Sequence, residues 1–248
     1  YSPFFDWTDV DLVTPLSQAT GFDVFLENDV NSLTLAEKWF GHGLGYRNFV
    51  VVTVGRGVGV GIVLNGQFYN GTVGGVGELG HIPVLPNGPL CTCGNRGCLE
   101  TLASDDGVVT MVAGRLAEGA ESVLSAVETI EIDDVFSAAR DGDEVAAEAL
   151  QQSGEWLGTG LATLCNLLNP ELIIVAGEGV EAGSFRLDPM RRALEEKRFD
   201  GRDPGPEIVF EFAGDQAWAR GAACVVLGEF FRSPLPGYQT QDRALVSR

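Results

Sequence analysis

Basic residues are scarce in this chain of 248 residues: 16 lysines and arginines stand against 35 aspartates and glutamates, giving a formal net charge of −19. Lysine occurs only as Lys38 and Lys197. A surface that binds DNA or RNA needs clustered lysine and arginine, so the composition argues against nucleic-acid binding by this part of the protein. Acidity of this kind more often serves solubility than the binding of a partner.

Long apolar runs are also missing. No stretch of about 18 or more apolar residues occurs, which predicts that no helix crosses a membrane. Residues 1–20 carry three aspartates and no basic residue, a pattern unlike a secretory signal peptide. Together with cysteines expected to stay reduced, this predicts a cytoplasmic protein.

Histidine and cysteine are rare but concentrated. His81, Cys91, Cys93 and Cys98 follow the spacing H-x9-C-x-C-x4-C, which takes up one of two histidines and three of five cysteines. Four nitrogen and sulfur ligands on a short loop suit a closed, tetrahedral zinc site, and three neighbouring cysteines cannot all pair as disulfides. The sequence therefore predicts a structural zinc site, and the alternative is a partly oxidised surface loop.

Two carboxylates flank this loop. Glu78 precedes His81 by three residues, and Glu100 follows Cys98 by two. A metal that fixes the loop would also fix the direction in which these carboxylates point, so we expect the cluster to organise a polar site rather than to catalyse a reaction itself.

A second polar pair, Asn28 and Asp29, lies upstream. The apolar run Phe22–Leu26 predicts a strand, and the spacing of Val30–Phe40 predicts a helix that ends at Gly41. The pair would then lie at a strand-to-helix junction, where α/β folds place ligand-binding groups. The alternative is that one of the two residues only caps the helix.

Glycines interrupt two β-branched runs between these centres. Val50–Val54 and Val60–Leu64 predict strands, and Asn65-Gly66 predicts a tight hairpin before Gln67–Tyr69. The glycines at 55, 57, 59 and 61 would let backbone N–H groups approach a phosphate, although any tight hairpin also uses glycine.

The remainder alternates helix and strand, which predicts an α/β layer. Helices are expected at Ser104–Glu118, Asp133–Arg140, Glu144–Leu168, Arg186–Arg198 and Gln216–Phe231, the last capped by Asp215, with strands at Glu171–Ala176 and Glu207–Phe212. Residues 233–248 are expected to form a loose tail or a packed arm.

The motifs GELGH (77–81) and CTCGNRGCLE (91–100), together with Asn28-Asp29, resemble the ROK family of sugar kinases and sugar-responsive transcriptional repressors. The resemblance extends from about Pro15 to Phe231. It implies an α/β, actin-like ATPase (ribonuclease H-like) fold with two lobes. On this basis we expect a remnant of the small lobe at 1–40, most of that lobe being absent, a large lobe at 41–232 with its zinc loop at 78–100, and a tail at 233–248.

The resemblance also implies roles for individual residues. Sugar-binding residues would be Asn28, Asp29, Glu78, His81 and Glu100, with Asp29 as the general base if the protein is a kinase. The phosphate and nucleotide loops would use Gly55, Arg56, Gly57, Gly59, Gly177 and Gly179. His81 could bind zinc through one ring nitrogen and donate to a sugar oxygen through the other.

Three departures from the kinase pattern favour a regulator. The Asp-x-Gly-Gly-Thr phosphate loop is absent, Arg56 stands where kinases carry threonine, and Glu178 puts a carboxylate beside the expected nucleotide. The segment DQAWARGAA (215–223) also looks more like the regulators.

Two functions follow from these observations. The first is the sugar-sensing domain of a ROK transcriptional regulator, with structural zinc, a small sugar ligand, and DNA bound through a winged-helix domain outside this chain. The second is an ATP- and Mg²⁺-dependent kinase of a hexose or N-acetylhexosamine, truncated at its N-terminus. The resemblance implies a homodimer or homotetramer in both cases.

Overall fold

A mixed five-stranded sheet forms the centre of the molecule in the computed structural model, which describes residues 7–72, 75–199 and 204–231. The strands are β1 (Phe49–Val54), β2 (Val58–Leu64), β3 (Gln67–Phe68), β4 (Leu172–Ala176) and β5 (Glu207–Glu211). Their order is β3-β2-β1-β4-β5. β1, β4 and β5 run parallel, and β2 is antiparallel to both β1 and β3. The predicted mixed α/β class is confirmed.

Helices cover both faces of this sheet. They are α1 (Val13–Thr20), α2 (Asp29–Phe40), α3 (Glu100–Ala103), α4 (Asp105–Ala117), α5 (Ile132–Arg140), α6 (Glu144–Leu168), α7 (Ser184–Lys197) and α8 (Asp215–Phe230). Short 3-10 turns lie at Leu79–His81, Val123–Ala126 and Glu178–Ala182. No helix in the described ranges is both long enough and apolar enough to span a bilayer.

Side-chain alternation along β1 divides the core into two layers. Val50, Val52 and Val54 pack with residues of α6 and α7, whereas Phe49 and Val51 pack with residues of α2 and α8. Successive side chains of a strand point to opposite faces, so a strand that is buried on both faces is almost entirely apolar, and Thr53 is the one polar residue of β1. A third apolar cluster joins α4, α5 and the first half of α6.

Most element boundaries agree with the sequence to within one or two residues. The Asn65-Gly66 turn has φ values of 55° and 78°, the left-handed pair that a tight hairpin requires. The helix after Asp143 ends at Leu168 as expected, and Ser104 caps α4 by accepting a hydrogen bond from the Gly107 N–H at 3.0 Å.

Two local predictions are wrong. Phe22–Leu26 is irregular backbone, with Phe22 76% and Leu26 66% exposed, because no described strand lies beside this run to complete its hydrogen bonds. α8 begins at Asp215 with Gly214 in the N-cap position, so Asp215 is the first helical residue rather than the cap. The short helices α1 and α3 were not expected from the pattern. The tail at 233–248 lies outside the described residues, and the division into lobes stays a prediction.

Candidate metal centre and sugar site

The four predicted metal ligands come together in the fold. The Nδ1 of His81 lies 3.4 Å from the Sγ of Cys91, and the Sγ atoms of Cys93 and Cys98 lie 3.6 Å apart. All four ligand atoms lie within 4.8 Å of one another. A 3-10 turn supplies His81, and the loop after it returns the cysteines through an isolated bridge between Pro83 and Cys98.

These separations fit a tetrahedral metal ion. With a Zn–S bond of about 2.3 Å and a Zn–N bond of about 2.0 Å, tetrahedral angles place two sulfurs about 3.8 Å apart and a sulfur and nitrogen about 3.5 Å apart. Within the described ranges, this is the one group of three or more histidine, cysteine, aspartate or glutamate side chains whose ligand atoms lie close enough together to share a metal ion. The cluster could therefore hold a metal ion, and one nitrogen with three sulfurs is a donor set of structural zinc sites.

The thiols of this cluster differ in their tendency to ionise. Burial, together with a smaller contribution from hydrogen bonding to Cys93, raises the pKa of the Cys98 thiol to about 12. A backbone hydrogen bond from Asn95 lowers the pKa of the exposed Cys93 thiol. A divalent cation binds thiolates, so metal binding here would release the protons of the thiols that coordinate it.

The second ring nitrogen of His81 points away from the sulfurs. Its Nε2 lies 3.8 Å from an Oε atom of Glu78, whose side chain is 68% exposed. If Nδ1 binds a metal, the neutral imidazole carries its proton on Nε2. His81 could then donate a hydrogen bond toward the space that Glu78 borders.

The start of β2 brings the remaining sugar-site candidates to one place. The carboxylate of Glu100 accepts a hydrogen bond from the Val58 N–H at 3.2 Å. The Val60 N–H donates to the Gly77 carbonyl at 3.0 Å, which anchors the residue before Glu78. Gly59, between these two positions, faces the first turn of α2 that follows Asn28-Asp29. Three separate segments are therefore attached to residues 58–60.

Asn28 and Asp29 lie at the N-terminus of α2, with both side chains exposed. Asn28 caps the helix, because its side-chain oxygen accepts from the Asn31 N–H at 3.1 Å. An oxygen of Asp29 accepts from the Val30 N–H at 2.8 Å. Asn28 therefore caps the helix, and its predicted sugar role stays a prediction, because its side-chain N–H₂ group and the second oxygen of Asp29 retain hydrogen-bonding capacity.

Glycines of the predicted phosphate loop serve two different purposes. At Gly59, an added methyl group would lie 2.9 Å from Val30 Cγ2, and at Gly61 it would collide with Thr34, so these glycines allow α2 to pack closely on β2. Gly55 instead lies in the turn between β1 and β2, closed by a hydrogen bond of 3.1 Å from its N–H to the Gly57 carbonyl.

A carboxylate covers this turn. A methyl group added at Gly55 would lie 2.8 Å from an Oε atom of Glu178, so the Glu178 side chain lies over the turn. Glu178 makes no ion pair with any residue in the described part of the chain. Gly177 and Gly179 lie against the Val54 backbone, and Gly177 has a φ of 107°. Arg56 at the tip of the turn is exposed.

Two buried charged groups were not expected from the sequence. Arg186 is 0% exposed and lies 2.8 Å from a carboxylate oxygen of Asp105. Glu37, 1% exposed, lies 3.7 Å from Arg220, which also contacts Glu211 at 3.7 Å. No local pattern marks these residues, because each partner comes from a distant segment.

Known proteins resemble this chain over most of its length. A protein-family model described as the ROK family matches residues 1–229. The chain belongs to the ROK family. It is 36% identical over 235 residues to a glucokinase of Thermotoga maritima, covering 91% of this chain and 73% of that protein.

Two solved structures extend the comparison. A ROK-family glucokinase from Streptomyces griseus in complex with glucose and AMPPNP superposes with a TM-score of 0.81 at 33% identity, covering 91% of this chain and 75% of that one. A ROK-family transcriptional regulator, a homologue of the E. coli MLC protein, gives 0.75 at 37% identity, covering 86% and 54%. The predicted actin-like ATPase fold is confirmed. This chain is similar to kinases and to regulators of the family at comparable sequence identity. Family membership alone therefore does not decide between the two functions.

Proposed function

We propose that this chain is the sugar-sensing domain of a ROK-family transcriptional regulator. The observation that carries the proposal is the Glu178 carboxylate lying over Gly55, in the turn where a kinase of this family would bind phosphate. An unpaired carboxylate beside a triphosphate is repulsive.

The sugar binds where three segments meet at the start of β2. Asn28, Asp29, Glu78, His81 and Glu100 provide amide, carboxylate and imidazole groups, which accept from and donate to sugar hydroxyls in fixed directions. The carboxylate of Glu100 already accepts one backbone hydrogen bond, from Val58, so one of its oxygens is held while the other remains available.

His81, Cys91, Cys93 and Cys98 would hold a zinc ion beside this site. When bound, it would offset most of the charge of the thiolates and fix the loop between Pro83 and Cys98. His81 then holds its Nε2 proton toward the sugar, and Glu78, three residues earlier, is carried by the same 3-10 turn.

Sensing requires that the sugar bind two states of the protein with different affinity. Ligands from α2, from the 3-10 turn and from α3 all contact the sugar, so its binding favours a closed arrangement of these segments. In a homodimer or homotetramer, closure shifts the spacing of DNA-binding winged-helix domains, which lie outside this chain.

The second candidate is an ATP-dependent sugar kinase. It is favoured by Asp29, whose exposed carboxylate is placed at a helix N-terminus beside the sugar site, where a general base could take a proton from a hydroxyl. The similarity to glucokinases is consistent with this candidate.

ATP binding and turnover decide between the two. On the full-length protein, isothermal titration calorimetry should detect binding of D-glucose or N-acetyl-D-glucosamine but no binding of AMPPNP. The variant Asp29→Asn should change sugar affinity by less than about tenfold. Glu178→Gly combined with Arg56→Thr should create AMPPNP binding, whereas Glu181→Gly, a change in the same 3-10 turn, should not. Phosphorylation of either sugar by the parent, lost in Asp29→Asn, would establish the kinase instead.

A further inference from the structure

The turn between β1 and β2 is held at both ends by one short segment. Glu100 accepts from the Val58 N–H at 3.2 Å, just after the turn. Asp105 donates its backbone N–H to the carbonyl of Gly55, the first residue of the turn, at 2.8 Å. Glu100 and Asp105 are joined by α3 and by Ser104, whose N–H donates to the Glu100 carbonyl at 3.1 Å. The position of the Glu100 carboxylate therefore depends on the position of Asp105.

Asp105 is in turn bound to Arg186, the largest fully buried side chain in the described ranges. The guanidinium Nη2 lies 2.8 Å from Asp105, and Nη1 donates to the Gly179 carbonyl at 3.0 Å. The space that a side chain at Gly179 would need is filled by this guanidinium, and the ring of Phe136 lies 5.9 Å from its Cζ. One arginine therefore ties α4 to the Gly177–Gly179 loop.

Stability alone does not account for this pair. Removing two charges from water costs several kcal/mol, and a buried pair can often be replaced by apolar groups without loss. The Nε of Arg186 has no hydrogen-bond partner, so the desolvation is not fully offset. The pair adds a side-chain link between α4 and the Gly177–Gly179 loop, which also packs directly against the Val54 backbone at the end of β1.

We infer that Asp105 and Arg186 are positioning residues, which hold the Gly177–Gly179 loop to the Gly55–Gly57 turn and, through that turn, orient the carboxylate of Glu100. Neither residue touches the sugar. The consequence for sugar affinity rests on the proposed function, whereas the consequence for the two loops does not.

The test compares Asp105→Asn, Arg186→Met and the double variant with the parent. Each single variant leaves a buried charge or an unpaired amide and is expected to lower Tm. The double variant removes both charges and keeps similar volumes but leaves the new amide at position 105 without its partner, so its Tm should lie above that of either single variant and below that of the parent. Arg115→Met is the matched control, because Arg115 also lies on α4 and pairs at 2.7 Å with Glu148, but on the surface.

Two readouts are made on the double variant. Amide hydrogen exchange at Val58 and Val180 should accelerate about tenfold or more, and affinity for D-glucose or N-acetyl-D-glucosamine should fall about tenfold, with neither changed in Arg115→Met. A folded double variant with parental exchange at both amides would overturn the inference. Accelerated exchange with parental sugar affinity would overturn its link to Glu100. Absence of sugar binding by the parent would instead refute the proposed function, and the exchange measurement would still decide on the loops.

Discussion

The candidate metal loop (residues 83–98) and the layer in which α2 packs on β2 form two sides of the same candidate site, but different interactions stabilise them. Between Pro83 and Arg96, most side chains of the loop are exposed, and backbone hydrogen bonds such as that from the Cys91 N–H to the Asn95 carbonyl at 2.8 Å hold it beside four converging candidate ligand atoms. The α2–β2 layer is close-packed, with Leu33 1% and Val63 0% exposed. A loop without an apolar core needs a cross-link, whereas a packed layer needs matching volumes. Loss of the metal should therefore affect the loop, whereas a change of side-chain volume should affect the packed layer.

The largest expected effect is loss of the metal ligand set. Cys93→Ser should release the metal, lower Tm by about 10 °C or more, and abolish sugar binding, because the loop loses the cross-link that replaces a core. Metal content by mass spectrometry and Tm by calorimetry, with and without a chelator, measure this. Cys165→Ser, a substitution of a buried cysteine on α6, should keep its metal. Parental sugar affinity in metal-free protein would show that the cluster does not organise the site.

The next effect concerns the packed layer. Gly61→Ala should destabilise the protein by about 2 kcal/mol, because the new methyl group collides with Thr34 and forces α2 away from β2. Its metal content should stay at the parental level. Gly114→Ala is the matched control, since nothing lies within 4 Å of its added methyl group on α4. It should stabilise the protein by about 0.5–1 kcal/mol through helix propensity. Equal urea midpoints for the two variants would contradict the close-packing argument.

The smallest effect concerns the buried carboxyl group of Glu37 on α2. Burial raises the pKa of Glu37 above its ordinary value of 4.5, and repulsion from Glu211 adds to this. A carboxyl group with a raised pKa in the folded state contributes stability below the unfolded value, and this contribution is lost as pH rises through the folded value. Glu37→Gln should therefore gain stability relative to the parent as pH rises above about 4.5, reaching about 1 kcal/mol near pH 8.

Urea unfolding at pH 4.5, 6 and 8 measures this difference. Gln can still accept the hydrogen bond that the His42 N–H donates to Glu37 at 2.9 Å. Glu148→Gln, on the surface, should show a smaller dependence on pH. A gain that is constant across the three pH values would mean that the ionisation of Glu37 is not its cause.

Prediction from the sequence succeeded where a feature is local. The ligand spacing around Cys91 and Cys93, the Asn65-Gly66 hairpin and the helix from Glu144 to Leu168 all depend on residues close along the chain. Phe22–Leu26 shows the limit, because an apolar run forms a strand only when another strand lies beside it. For Gly59 the structure adds a close contact with Val30 of α2, and its part in a phosphate loop stays a prediction.

The sequence by itself determined the candidate metal ligand set, the family and most of the helices and strands, because spacing, turn residues and hydrophobic period are written along the chain. Tertiary structure alone decided that Glu178 lies over Gly55, that Arg186 pairs with Asp105, and that Glu37 is buried beside Glu211. Each of these pairs joins residues tens of positions apart or more, and their energies depend on distance and desolvation, which only the folded chain sets.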